Sequence, residues 1–125
     1  MEAKTWYSRY ASANNAMQYC IKEENQEMAD SWKETLNDLM DDLPHGSGID
    51  GDWSHEFKNG KIILNNSFHV MDDAGFYDGW IDFAAVISPS LQFGTDVSIS
   101  GNFGKHQYLK EYLAEIIGEA IEQRQ

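Results

Sequence analysis

The residues best placed to do chemistry fall in one stretch, Ser67-Phe68-His69-Val70-Met71-Asp72-Asp73-Ala74-Gly75-Phe76-Tyr77-Asp78-Gly79-Trp80. Read as strand, turn and strand, it places His69 across from Asp78 and Asn65 across from Asp82, with Asp72 and Asp73 at the tip. A histidine facing a carboxylate could act as a general base with its orienting group. His69 with Asp72 and Asp73 could instead hold a hard divalent ion. Nothing in the stretch has the spacing of an HExxH helix or an EF-hand loop. A solvated cross-strand His–Asp pair accounts for the same residues without any chemistry. The first reading is therefore non-enzymatic and calls for no cofactor; His69 and Asp78 remain the alternative catalytic pair, Asp72 and Asp73 the alternative metal ligands. His45, His55 and His106 lie elsewhere, and His55 is expected to point into the core.

A second pattern carries charge. Glu23, Glu27, Asp30, Glu34, Asp38 and Asp41 recur every three or four residues, which stacks them into a ladder on a helix. Glu24 and Asp42 extend it, and Lys33 is the only base between Glu23 and Asp42. Neighbouring rungs stand about 5–6 Å apart and cost helix stability by a few tenths of a kcal/mol per pair. That spacing is close to the phosphate spacing along a nucleic-acid strand. The pattern points to a negative surface that imitates a nucleic-acid backbone, or to an ordinary solvated helix face. A second candidate surface surrounds Trp80, an aromatic anchor beside Asp82; a terminus or a second subunit could also cover it.

The whole chain shares this charge. Twenty-one acids against nine bases in 125 residues give a formal net charge of -12. Such a surface repels nucleic acid and anionic membranes and attracts basic proteins. No apolar run approaches the roughly 18 residues of a membrane span, and the first residues lack a signal-peptide layout. The lone cysteine, Cys20, has no disulfide partner, which fits a cytoplasmic location; on an apolar helical stripe it is expected to be a buried, inert thiol.

The elements that position these groups follow from periodicity. Trp6, Tyr10, Ala13, Met17, Cys20 and Ile21 mark one helical face; Met28, Trp32, Leu36, Leu39, Met40 and Leu43 mark another. One helix over both would be about 60 Å long, so a break is expected in the polar interval near Asn25. Pro44, Gly46 and Gly48 stop the helical run. The loop from Pro44 to Asp52 has the glycines of a phosphate cradle but not its lysine, and is expected to be a flexible connection. Beyond it the period changes to two, and Asn59-Gly60 signals a hairpin with Phe57 opposite Ile62 and His55 opposite Leu64. A second hairpin is expected to place Val70 opposite Tyr77, Asn66 opposite Ile81 and Leu64 opposite Phe83. The predicted fold is α+β in one domain of residues 1–125. A helix or helix pair covers residues 4–43, an antiparallel sheet of about four strands covers 52–101, and a final helix covers 105–123. Trp53, His55, Phe57, Ile62, Leu64, Phe68, Val70, Tyr77, Ile81, Phe83, Ala85 and Ile87 line its helix-covered face. Glu56, Asn65, Ser67, His69, Asp78, Trp80 and Asp82 line the other.

In the segment SFHVMDDAGFYDGW, with GSGID upstream at Gly46 to Asp50, the chain resembles small acidic proteins encoded by phages and prophages. The resemblance spans roughly Leu36 to Ser100 and implies a mobile-element origin, a host bacterial cytoplasm and no assigned catalytic residue. By size and charge such proteins are similar to inhibitors of host defence, including anti-CRISPR and anti-restriction proteins. The leading expectation is thus an acidic, non-enzymatic inhibitor that docks on a basic nucleic-acid-binding or defence protein, with no direct contact to nucleic acid or membrane. The alternatives are a small acid–base or metal-dependent enzyme at the His69 hairpin, and a phage structural or scaffold component. A homodimer is compatible with each.

Overall fold

The polar interval at Glu23–Gln26 is a turn between two helices. In the computed structural model, which describes residues 5–46, 48–71, 77–90 and 94–122, α1 (Trp6–Lys22) starts at Thr5, whose side chain accepts from Ser8 N at 3.0 Å. Glu23 caps its end, and Glu24 reverses the chain at φ 60°. Asn25 then opens α2 (Gln26–Met40), its side chain accepting from Met28 N at 3.2 Å. Asparagine is among the best residues for that position, which is why the chain breaks where the apolar stripe pauses.

The sheet is antiparallel and runs in sequence order: β1 (Ser54–Lys58), β2 (Lys61–Met71), β3 (Tyr77–Ser90) and β4 (Gly94–Gly101). Asn59 and Gly60, at φ 53° and 75°, make the tight turn that joins β1 to β2. Phe57 stands opposite Ile62 and His55 opposite Leu64, as the sequence predicts. After a turn of 3-10 helix at Gly104–His106, α3 (Tyr108–Glu122) closes the chain. The α+β architecture is thus the predicted one, with the N-terminal region resolved as a helix pair.

The second hairpin corrects the predicted register. Val70 faces Gly79, Asn66 faces Phe83 and Leu64 faces Ala85, two residues on from the expected partners. An irregularity between Val70 and Met71 leaves Asp78 unpaired at the bulge. A two-residue slip keeps every side chain on its face, so the segregation survives although the pairs change. Ile62, Leu64, Ala85 and Ile87 are fully buried under the helices, with Trp53, Phe68, Val70 and Phe83 beside them.

The helices form one layer on that face. α1 lies against α2 and, less extensively, α3, which packs on β4. Leu36 from α2 and Leu113, Ile117 and Ile121 from α3 complete the core. Trp6 is buried at the head of α1, and its indole N–H donates to the Leu39 carbonyl at 3.2 Å. The α1 stripe runs out toward its C-terminus: Ile21 is exposed and Cys20 only half-buried, against the expectation of a buried thiol. The α2 stripe likewise leaves Met28 exposed, and Ala29 takes the buried place.

The Pro44–Asp52 loop is not a loose connection. Gly48 O accepts from His69 N at 2.6 Å, Asp50 N donates to Ser67 O at 3.0 Å, and Ile49 bridges to Phe68. These contacts extend the edge of β2 beyond the end of β1. The loop therefore fixes where Asp50 and Asp52 sit relative to the sheet.

Candidate binding surface

α2 turns its carboxylates away from the core. At about 100° per residue, Glu27, Asp30, Glu34, Asp38 and Asp41 all fall on the side opposite Ala29 and Leu36, and all are exposed. Glu23 does not belong to this helix: it caps α1, so the predicted ladder begins at Glu27. Asp30 accepts from the Gln26 side chain at 2.7 Å. Among the described residues, Glu27, Glu34, Asp38 and Asp41 form no ion pair. Glu27, in the first turn, is favoured by the helix dipole, whereas the last turn holds no base and is followed directly by Asp41 and Asp42. Anions at a helix C-terminus work against the dipole.

That disfavoured end opens on a cleft. Asn37, Asp38, Met40 and Asp41 line it from α2, and His45, Asp52 and Trp53 line it from the loop. Its volume is about 420 Å³. The loop is held there by Trp53, whose indole N–H donates to the Pro44 carbonyl at 3.1 Å, while His45 Nε2 lies 3.2 Å from the Met40 carbonyl. Asp52 thus joins Asp38 and Asp41 at the end of the helix, a convergence that sequence spacing does not reveal. Only the folding of the loop back along β2 brings it about. Among the described residues, no three carboxylates, histidines or cysteines are arranged to hold a metal ion.

The open sheet face is the second candidate surface. Trp80 is 50% exposed, and its ring stacks on His69 with centroids 4.6 Å apart at 27°. Two residues on, Ser67 Oγ donates to Asp82 Oδ1. Ile63, Ala84 and Val86 lie half-exposed on the same face. The predicted pairing of His69 with Asp78 is replaced by His69 opposite Trp80, and Asn65 stands opposite Ala84 rather than Asp82. The residue skipped at Asp78 accounts for one of the two positions of that shift. Asp72 and Asp73 lie outside the described residues, as does the Asp78 side chain. The imidazole of His69 is therefore part of an aromatic stack.

A third feature escaped sequence reasoning. Tyr10 of α1, His55 of β1 and Asn37 of α2 form a hydrogen-bond relay: Tyr10 Oη lies 2.8 Å from His55 Nδ1, and His55 Nε2 lies 3.1 Å from Asn37 Oδ1. The pattern fits a neutral ring that accepts from the phenol and donates to the amide. His55 is half-buried on the helix-covered side, as predicted. Burial pushes the Tyr10 phenol up to about 12, with the Glu56 carboxylate adding to the effect. Burial also lowers the His55 pKa, and the nearby Lys33 ammonium lowers it further. Both shifts favour the neutral forms that the relay uses.

A pH dependence follows, and its sign is fixed. Because His55 titrates lower in the folded chain than the ordinary value of 6.5, its contribution is fully present above about pH 6.5 and is lost as pH falls through the folded value. Denaturant titrations of the wild type and His55→Gln at pH 7.5 and pH 5 should show the gap between the two proteins narrowing at the lower pH. The difference isolates His55, since protonation of the many carboxylates affects both proteins alike. A gap that widens at pH 5 would contradict the assignment.

Compared with known proteins, the chain matches no family model, no curated protein and no solved structure. Among the described residues, no helix is long and apolar enough to cross a membrane.

Proposed function

We propose that this chain is a non-enzymatic binding protein that docks the acidic face of α2 on a basic partner. The observation that carries this reading is the exposed row Glu27, Asp30, Glu34, Asp38 and Asp41, which ends in the cleft that Asp52 completes. Uncompensated like charges lower helix stability, and the carboxylates at the C-terminal end add a dipole cost. A cationic partner removes both costs at once. Lysine or arginine side chains would pair with the row, and one would enter the cleft between Asp38, Asp41 and Asp52. Arginine suits that place better, because its planar fork engages carboxylates through several donors.

The partner class is a nucleic-acid-binding or host-defence protein, since surfaces that bind nucleic acid are basic. In that setting the α2 face acts as a nucleic-acid mimic, and a phage or mobile-element origin accords with the role. The net charge of -12 favours rapid encounter with a cationic surface and disfavours direct binding to nucleic acid. The open face around Trp80 and Asp82 is the second surface available to the same partner.

The test is capture of host proteins on tagged wild-type chain, washed at low and then high salt. The expected result is a basic protein held at low salt and released by high salt, and competed off by duplex nucleic acid. Capture that salt leaves unchanged, or that nucleic acid does not compete, would overturn the mimic.

A further inference from the structure

β4 ends the sheet, and among the described residues no strand pairs with its outer side. A strand in that position presents a row of backbone donors and acceptors. Proteins normally guard such an edge with short strands, charges or proline. The other edge is guarded: β1 has 5 residues, carries Glu56 and Lys58, and is tied to α1 and α2 through His55. β4 is different. Its 8 residues, Gly94-Thr95-Asp96-Val97-Ser98-Ile99-Ser100-Gly101, include one charge and neither lysine nor proline. Val97 and Ile99 remain half-exposed on the helix-covered side, where their counterparts Ile62, Leu64, Ala85 and Ile87 are fully buried. The core runs out at this edge with apolar surface to spare.

We infer that β4 pairs antiparallel with β4 of a second copy about a two-fold axis at Ser98, joining two four-stranded sheets into one. Directly opposed residues in an antiparallel pair share a face, so the axis must relate residues of like orientation. Centring it on Ser98 sets Val97 opposite Ile99 twice, Asp96 opposite Ser100 twice, and Ser98 opposite itself. No charge then faces a like charge. Centring it on Val97 would set Ile99 opposite Thr95 instead, and centring it on Asp96 would oppose two carboxylates.

A second copy is the occupant that the charge permits. In a chain of -12, self-association needs a surface nearly free of carboxylates, and β4 is such a surface. α3 above it offers no obstacle. At about 100° per residue, Glu115 and Glu119 fall on the side of Tyr112, whose ring meets Phe68 of β2 edge-on at 6.3 Å, and the exposed Glu111 and Glu122 point away from the buried face of α3. The opposite flank carries Lys110, Ala114 and Gly118, and the space beside Gly118 is open. The joined sheet would hold its two β1 strands about 34 Å apart at the standard strand spacing, with an α2 face at each end. This pairing does not depend on the proposed function, and either can fail alone.

The test uses the full chain and three measurements. Sedimentation should give twice the chain mass of 14.3 kDa. In a Cys20→Ala background, Ser98→Cys should cross-link under mild oxidation, because the two Cα atoms lie about 4.5–5.5 Å apart across the axis, within disulfide reach. Ser98→Asp and Ser98→Lys, at an exposed position, should each weaken the dimer up to about fivefold through like-charge opposition, and mixing the two should restore it. A monomer at all concentrations overturns the proposal. So does a dimer that neither cross-links in the Ser98→Cys variant nor responds to the charge swap.

Discussion

Trp6→Ala is expected to lower folding stability by about 3–5 kcal/mol, seen as a fall in the urea midpoint at unchanged slope. The ring is 1% exposed at the head of α1, where it lies beside Tyr10 with centroids 6.0 Å apart. Its N–H also satisfies the Leu39 carbonyl near the end of α2. Removing it leaves a cavity between the two helices and takes one hydrogen bond from the Leu39 carbonyl, which still accepts from Asp42 N at 3.2 Å. A domain of this size has about 5–15 kcal/mol to lose, so the variant should be partly unfolded at moderate temperature. A shift below about 1 kcal/mol, the size of an ordinary surface substitution, would mean that Trp6 does not hold the helix pair together.

Gly48→Ala is expected to cost about 2–4 kcal/mol for two separable reasons. Gly48 has φ 105°, which side-chain-bearing residues rarely adopt, and an added Cβ would stand 2.8 Å from Phe68 Cζ. Phe68 cannot retreat easily, because it is buried among the core residues of β2. Gly60→Ala is the control: φ is 75°, but nothing lies within 4 Å of an added Cβ. It should lose only the conformational part, about 1–2 kcal/mol. Equal losses at the two positions would show that the loop yields and that its contacts to β2 do not fix it. Gly48→Ala should also weaken binding at the α2 cleft, because the same loop carries Asp52.

The elements were legible in the sequence because each has a local cause. The polar pause around Asn25 holds a capping side chain, and the Asn59-Gly60 pair requires the turn it makes. The alternation in β2 and β3 sorts inward from outward residues. What alternation does not encode is the sum of the paired residue numbers, since a slip of two leaves every face unchanged. The bulge at Asp78 contributes one of the two residues of that slip. A bulge has no hydrophobic signature of its own.

The candidate site was legible in part for the same reason. Glu27 to Asp41 could be placed on one face by helical spacing alone, but Glu23 could not be assigned until the caps of α1 and α2 were known. Asp52 reaches the cleft through a tertiary contact of the loop with β2, and no periodicity records it. The Tyr10–His55–Asn37 relay joins three elements far apart in the chain, so it too becomes visible only in the fold.

The central claim is that the carboxylates of α2 dock on a basic partner. It is tested most directly by titrating the salt-released partner against the chain with Glu27→Gln, Asp30→Asn, Glu34→Gln and Asp38→Asn combined. Affinity at low salt should fall about tenfold or more, the salt dependence should flatten, and the melting temperature should not drop, because the four residues are exposed and repel one another. Undiminished affinity and an unchanged salt dependence in the folded variant would contradict the claim and move the docking surface to Trp80 and Asp82.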